Sequence, residues 1–286
     1  MHNRDDTGEN HMQTVEGRIV LVTGAAMGMG RLYAERAIAE RAAGVVLWDI
    51  DGRQLAETQA ELGGTAANVH AYVVDVASLA DITTAATRVR AEVGHPDIVI
   101  NNAGVVRSKY FWEHDHVRDI AFVMNINTLA LMHIAREFLP DMIASDRPAR
   151  LLNVASASGM LSVPMMSVYT SSKWAVIGWS DSVRLELERA GHSHVKVTTL
   201  IPSYIGTGMF AGARAPLLTP ILDPARVVDR AWDAMKRGRA RIMMPWPVAL
   251  SGALRGLLPQ PAWDWLAGRV FKVYSSMDAF TGRVPR

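Results

Sequence analysis

The chain has 286 residues, 49% of them hydrophobic and 20% charged. Such a chain can bury one large core, and its length suits a single α/β domain better than two small ones. A formal net charge of +2 provides no basic field for nucleic acid, and the lack of cysteine excludes disulfides and thiolate metal sites.

Residues 1–14, Met1 to Thr14, are polar and mixed in charge and are expected to form a disordered head before a domain over 15–286. They lack the apolar run of a signal peptide, and no stretch long enough to span a bilayer is free of charge, so a cytoplasmic protein is expected. Strands are predicted at Arg18–Thr23, Val45–Asp49, His70–Asp75, Asp97–Asn101, Arg150–Ala155 and Val195–Ile201. Their near-continuous apolar runs suit a parallel sheet covered on both faces. Between them lie helical patterns at Met29–Ala42, Arg53–Leu62, Leu79–Val93, His116–Ala144 and Ser167–Ala190. This alternation predicts right-handed crossovers and a Rossmann-type doubly wound α/β sheet. After Pro202 repeated prolines break the pattern, and short helices capping one end of the sheet are expected. The apolar run between Arg241 and Arg255 reads as a buried C-terminal segment or an interfacial membrane patch.

Thr23-Gly24-Ala25-Ala26-Met27-Gly28-Met29-Gly30 follows the first strand and opens the first helix. Unpaired amides and the helix dipole favour phosphate there, and glycine is needed where a β-carbon would block the turn, the pyrophosphate or helix–strand packing. Asp49, followed by Ile50, ends the second strand; a carboxylate there accepts ribose hydroxyls and repels a 2′-phosphate. No Arg or Lys lies inside the glycine turn, although Arg53 is close enough in sequence to pair a phosphate, so NAD is expected over NADP. Asp49 also reads as an N-cap for the next helix. Asp75, followed by Val76, can bond the adenine amino group or cap a helix. Asn101-Asn102-Ala103-Gly104 can let the backbone pass close to a cofactor and tie neighbouring strands together.

Tyr169 and Lys173 lie one helical turn apart on one face, in a helix that follows a strand ending near Ser156. Hydride transfer to a carbonyl leaves an oxyanion that needs a proton. A nearby ammonium and a positive nicotinamide ring are expected to lower the tyrosine pKa from its usual ~10. Lys173 supplies charge and can bond the nicotinamide ribose, and Ser156 can hold the substrate oxygen. Asn127, inside the long helix before the fifth strand, either exposes a water to Lys173 or bonds within a helix interface.

The order and spacing of TGAAMGMG, NNAG, Asn127, Ser156 and Tyr169-Ser-Ser-Lys173 resemble the short-chain dehydrogenase/reductase family over roughly residues 15–210. The resemblance implies an Asn–Ser–Tyr–Lys tetrad at Asn127, Ser156, Tyr169 and Lys173, with Asn101 and Gly104 lining the cofactor site. Three segments are similar to the branch with retinol and 17β-hydroxysteroid dehydrogenases: Gly30-Arg-Leu-Tyr with Val46-Leu-Trp-Asp-Ile50, Asn102-Ala-Gly-Val-Val106, and Pro202 to Phe210. That similarity implies a lipophilic alcohol or ketone as substrate, and family members are commonly dimers or tetramers. Two departures stand out. The family usually has Pro-Gly after the sixth strand, whereas this chain has Pro202-Ser203, and the apolar anchor of membrane-bound relatives has no counterpart in residues 1–14.

Pro202, Ile205 and Thr207 are assigned to the cofactor, Thr207 through the carboxamide. Ser158, Met160, Val163, Met165, Tyr204, Met209 and Phe210 are assigned to the substrate pocket, with Leu217 and Leu218 completing an apolar lid hinged at Gly206, Gly208 and Gly212. His114-Asp115-His116 lacks a third placed ligand and reads as a solvated loop and helix start rather than a metal site. Trp246, Trp263, Trp265 and Phe271, beside Arg255, Arg269 and Lys272, read as C-terminal packing or as an amphipathic surface. The competing readings are a non-catalytic dinucleotide sensor or scaffold on this fold, and a dehydration or epimerisation using the same cofactor.

Overall fold

The apolar runs become the strands of one parallel sheet. The computed structural model describes residues 12–63 and 68–282. The strands are β1 (Ile19–Thr23), β2 (Gly44–Asp49), β3 (Val69–Val73), β4 (Ile98–Asn101), β5 (Ala149–Val154), β6 (Val195–Pro202) and β7 (Arg241–Met244), in the spatial order β3-β2-β1-β4-β5-β6-β7. The register pairs Val22 with Leu47 on one side of β1 and with Ile100 on the other. The strand order reverses between β1 and β4, which opens a crevice at the carboxyl ends of those strands, where open α/β sheets bind ligands.

Alternate strand residues face opposite layers. Leu21, Val46 and Val99 pack with Ile82, Val89, Ile134, Phe138 and Val176 of α3 (Leu79–Glu92), α5 (Ala130–Ala144) and α6 (Ser167–Arg189). Val20, Val22, Val45 and Leu47 pack with Tyr33, Ala37, Leu55, Val227 and Trp232 of α1 (Gly28–Ala39), α2 (Gly52–Gly63) and α7 (Pro224–Lys236). Each such aliphatic side chain contributes roughly 1.5–3 kcal/mol on burial, and the two layers hold the strand ends in place. A third cluster, including Leu161, Val163, Tyr169, Trp263 and Met277, joins the site end of the sheet to the C-terminal region.

Four expectations need correction. The head ends earlier than residue 14: Met12 is buried and its N–H donates to the Lys236 carbonyl at 3.2 Å, while residues 1–11 lie outside the described residues. The region after Pro202 is not only short helices. Asp223 caps α7 by accepting from Arg226 N, and α7 is a full crossover leading to the seventh strand. Finally, the run from Arg241 is not one buried segment. It splits into edge strand β7, whose Arg241 pairs with Asp181, and the half-exposed α8 (Pro247–Leu257). β7 is short and only partly covered, and its Ile-Met-Met lies inside the longer apolar run, so nothing in the sequence marks it off as a separate strand. After α8 come α9 (Gln260–Trp265) and a π-helical turn, Leu266–Val270. The long predicted helix at His116–Ala144 is a composite: π-helical turns at His116–Ala121 and Asn125–Leu129, joined by the three-residue α4 (Phe122–Met124), precede α5.

Candidate active site

The glycine turn is held from three sides. Gly24 and Gly28 have φ of +64° and +58°, a region that side chains other than glycine rarely adopt. Gly30 serves packing instead: a Cβ there would lie 1.9 Å from the Gly24 carbonyl oxygen. The Asn102 side-chain amide donates to the carbonyls of Thr23 and Gly24 at 2.9 and 3.2 Å, and Thr23 Oγ1 accepts from the amides of Asn102 and Ala103. One Asp49 carboxylate oxygen accepts from Ala26 N at 2.9 Å and the other from Asp51 N at 3.0 Å. The cap of α2 is therefore Asp51, which accepts from Gln54 N, and Asp49 instead braces the glycine turn. Arg53 pairs with Glu57 on the exposed face of α2. Asp75 closes its own turn by accepting from Ala77 N. Ile50 is exposed beside Asp49, and Val76 packs into the core under the strand ends.

Met27 occupies the N-cap position of α1, where it cannot satisfy the first amides as a serine or aspartate would. A Cβ on Gly28 would meet Thr207 Cγ2 in ordinary contact at 3.7 Å, so Thr207 stands directly beside the turn. Met29, Asn102, Gly104, Tyr169, Lys173, Pro202, Ile205, Thr207 and Met209 all border one cavity of about 500 Å³. The amino end of α1 at one end, a carboxylate at the β2 terminus and a buried ammonium at the other end fit a dinucleotide lying along the crevice.

Three of the four tetrad positions converge in this cavity. Ser156 begins just after β5 and caps a 3₁₀ turn, Ala157–Gly159, by accepting from Ser158 N at 3.2 Å. α6 buries Tyr169, Ser172, Lys173, Val176 and Ser180 along one stripe. Tyr169 and Ser156 both border the cavity. Lys173 Nζ lies 5.9 Å from the Tyr169 ring centroid and donates to the Val154 carbonyl at 2.9 Å.

The expected lowering of the tyrosine pKa is reversed in the protein itself. Burial raises Tyr169 to about 12, opposed by the neighbouring Ser156 hydroxyl, and burial lowers Lys173 to about 8. Both groups lose hydration before any charge arrives to compensate. The Asn127 side chain bonds within a helix interface, as one of its two readings has it. Its oxygen accepts from Val105 N, and its nitrogen donates to the Val105 carbonyl and to Ser172 Oγ, within the π-helical turn. Its side chain thereby ties the loop after β4 to α6 between Tyr169 and Lys173. Asn101 links to Asn153 across β4 and β5, as expected of a strand tie.

A second cavity, of about 820 Å³, opens beside Ser156. Ser158, Val163, Tyr204 and Phe210 border it, as do Leu217 and Leu218 of the expected lid. Three assigned pocket residues, Met160, Met165 and Met209, do not. Met160 is pinned beneath α8: its carbonyl accepts from Arg255, and its terminal methyl lies where a Cβ on Gly252 would fall. Met165 adopts φ +63° and borders neither cavity, its carbonyl accepting from Lys109 N. Met209 borders the dinucleotide cavity instead. The expected lid is tied to the C-terminal segment: Arg214 N donates to Ser276 O, Leu217 N donates to Phe271 O, and Gly212 packs close to the Ala279 carbonyl.

Sequence reasoning missed Ser203, Leu250, Val273 and Ser276 as cavity walls; the pairing of the C-terminal segment with residues 211–217 carries no local signature. Trp246 and Phe271 also border the cavity, whereas Trp263 is buried and Trp265 exposed, so the tryptophan-rich region has both predicted characters. Asp115 does start a helix, but the His114 side chain is buried rather than solvated; its Nδ1 lies 3.6 Å from the Asp119 carboxylate, and neither ring nitrogen has a hydrogen-bond partner among the described residues. Among the described residues no group of three His, Cys, Asp or Glu could hold a metal, and no helix is long and apolar enough to cross a membrane.

Comparison with known proteins agrees with this geometry. Residues 18–217 match the family model described as short chain dehydrogenase. The chain is 36% identical to estradiol 17-beta-dehydrogenase 11 of Pongo abelii, over 94% of this chain and 88% of that one. It is 34% identical to epidermal retinol dehydrogenase 2 of Mus musculus, over 95% and 87%. Among solved structures, a short-chain dehydrogenase/reductase from Burkholderia phymatum in complex with NAD superposes with a TM-score of 0.78 at 26% identity, covering 86% of this chain and 95% of that one. A short-chain dehydrogenase from Sphingobium yanoikuyae in complex with NADPH gives 0.72 at 29%, covering 85% and 97%. The chain therefore belongs to the short-chain dehydrogenase family of oxidoreductases, in its retinol and 17β-hydroxysteroid dehydrogenase branch.

Proposed function

We propose that this protein interconverts a bulky, lipophilic secondary alcohol and its ketone with NAD(H). The observation that carries the reading is the junction of two cavities at Ser156: one holds Tyr169, Lys173 and Thr207, and the other is walled by Leu161, Val163, Phe210, Leu217, Leu218 and Val248. The apolar wall selects for a hydrocarbon body of steroid, retinoid or aryl–alkyl size. The names of the relatives, which act on estradiol and retinol, point to the same class.

When bound, the dinucleotide supplies or removes the hydride. Gly24, Met27, Gly28 and Gly30 would hold its pyrophosphate at the start of α1, Asp49 its adenosine ribose, and Thr207 its carboxamide. The fixed Asp49 carboxylate, bonded to Ala26 and Asp51, disfavours a 2′-phosphate, and Arg53 is engaged with Glu57; both support NAD over NADP.

Ser156 donates to the substrate oxygen, a bond that strengthens as negative charge develops. Tyr169, kept protonated by burial, delivers its phenolic proton to that oxygen in the reducing direction and recovers it in the other. The Lys173 ammonium, fixed on the Val154 carbonyl, stabilises the phenolate that results. Asn127 acts as a positioning residue that keeps α6 against the loop after β4. The test is NADH absorbance followed against steroid, retinoid, long-chain and aryl alcohols and ketones. Turnover confined to the bulky lipophilic members supports the reading, and failure of every member to exchange hydride contradicts it.

A further inference from the structure

Among the described residues, Phe210 is the one bulky side chain that borders both cavities. Its ring meets the Tyr169 ring edge-on, with centroids 5.8 Å apart and planes at 82°. It meets the Tyr204 ring in the same way, at 5.2 Å and 73°. Phe210 is thus the middle of three linked aromatic rings, with the phenol assigned to proton transfer at one end.

The other end is anchored. The Tyr204 hydroxyl bonds Ser276 Oγ at 2.8 Å, and Ser276 donates in turn to the Val273 carbonyl at 2.7 Å. Val273, Ser276 and Met277 are buried in the C-terminal segment. The Tyr204 carbonyl accepts from Leu222 N at 2.8 Å, which fixes its backbone as well. Phe210 lies between Gly208 and Gly212 in a stretch that bonds the same segment: Thr281 N donates to Ala211 O at 2.9 Å, and Arg214 N to Ser276 O at 2.8 Å. A side chain on a helix still turns about its own torsions, which the α6 backbone does not set. An edge-to-face partner favours one ring orientation by up to about tenfold. Proton delivery needs that orientation, because a misplacement of about 1 Å costs up to about 10²-fold in rate.

We infer that Phe210 is a positioning residue: backed by Tyr204 and the C-terminal segment, its ring holds the Tyr169 phenol in line with the substrate oxygen. This rests on the ketone-reducing reading above. It gives the pairing of residues 204–214 with the C-terminal segment a part in the chemical step, beyond forming the wall of the apolar cavity.

The experiment is a double-mutant cycle on reduction of a lipophilic ketone. Phe210→Leu keeps an apolar wall and removes the ring. Its kcat is expected to fall about tenfold, with KM for the ketone within about threefold of wild type. NADH affinity, read by fluorescence titration, should be unchanged. Phe210→Tyr restores the ring and should bring kcat back to within about threefold of wild type. In a Tyr169→Phe background no phenol is left to place, so Phe210→Leu should then cost no more than about twofold in single-turnover rate. Tyr204→Phe keeps all three rings and breaks only the anchor; kcat should fall about threefold, again only while the Tyr169 hydroxyl is present. This variant decides the matter if Phe210→Leu does not fold. An unchanged kcat, or a loss confined to KM, would make Phe210 a wall of the cavity and overturn the inference. So would an equal loss with and without the Tyr169 hydroxyl. A wild type that reduces no member of the ketone panel contradicts the parent reading, and this one falls with it; an active wild type with either adverse result overturns this one alone.

Discussion

Replacing Gly30 with alanine is expected to damage both folding and cofactor binding, whereas the same change at Gly28 should act mainly through backbone strain. A Cβ on Gly30 would lie 1.9 Å from Gly24 O, 2.7 Å from Gly24 C and 2.8 Å from Asn102 Nδ2. Carbon contacts do not close below about 3 Å, so the turn must retreat by about 1 Å. Nothing flexible stands in the way to absorb this, since two of the three atoms are backbone and the third is the amide that braces the turn. Overpacking of this kind costs about 1–3 kcal/mol, and a disturbed brace adds about 1 kcal/mol. At roughly 2–4 °C per kcal/mol, the melting temperature should fall by about 5–10 °C. NADH affinity should fall at least about tenfold, because the displaced amides no longer converge on the phosphates.

At Gly28 the nearest obstacle to a Cβ is Thr207 Cγ2 at 3.7 Å, so space is available, but φ of +58° imposes about 1–2 kcal/mol. Thermal unfolding with and without NADH, together with a fluorescence titration, distinguishes the two variants. A Gly30→Ala protein that melts with the wild type and binds NADH fully would refute the packing argument.

Two further outcomes follow from the same geometry. Asp49→Ala should move the NADP-to-NAD ratio of kcat/KM toward NADP by about tenfold or more, since it removes the carboxylate proposed to hold the adenosine ribose; an unchanged ratio in a cofactor-swap assay would place discrimination elsewhere. Lys173, lowered by burial to about 8 from 10.5, binds its proton more weakly in the folded state. The cost of burying the ammonium is fully present below pH 8 and is relieved as pH rises toward 10.5, so stability should gain with pH across that window. Lys173→Met should flatten this gain in denaturant titrations, and an identical pH slope in the variant would contradict it.

The fold was legible where burial is complete. β1, β2 and β4 to β6 carry runs such as Val20-Leu21-Val22 and Ile98-Val99-Ile100, fully buried on both faces, and such runs need a parallel sheet whatever their neighbours. β7 was hidden because an edge strand is covered on only part of its surface and its Arg241 and Met244 show no regular pattern. In the site, the glycine turn and the Tyr169–Lys173 spacing are local, and a helix or turn suffices to place them. The apolar cavity is not local: Tyr204, Trp246, Phe271 and Ser276 meet only because residues 211–217 pair with the C-terminal segment. The misassigned Met160 and Met165 show the same limit, for their position in the loop before Tyr169 does not say which of its residues reach the cavity, and the carbonyls of these two are engaged by the distant Arg255 and Lys109. The sign of the Tyr169 shift could not be read from spacing either, because it is set by how deeply the phenol is buried.

The most direct measurement of the central claim is single-turnover reduction of a lipophilic ketone by Tyr169→Phe, with NADH binding measured in parallel. Loss of the proton donor alone should slow hydride transfer by roughly 10²-fold or more while leaving NADH affinity close to that of the wild type. Turnover at the wild-type rate would show that the proton comes from another group and that the Tyr169 phenol is a wall of the site rather than its acid.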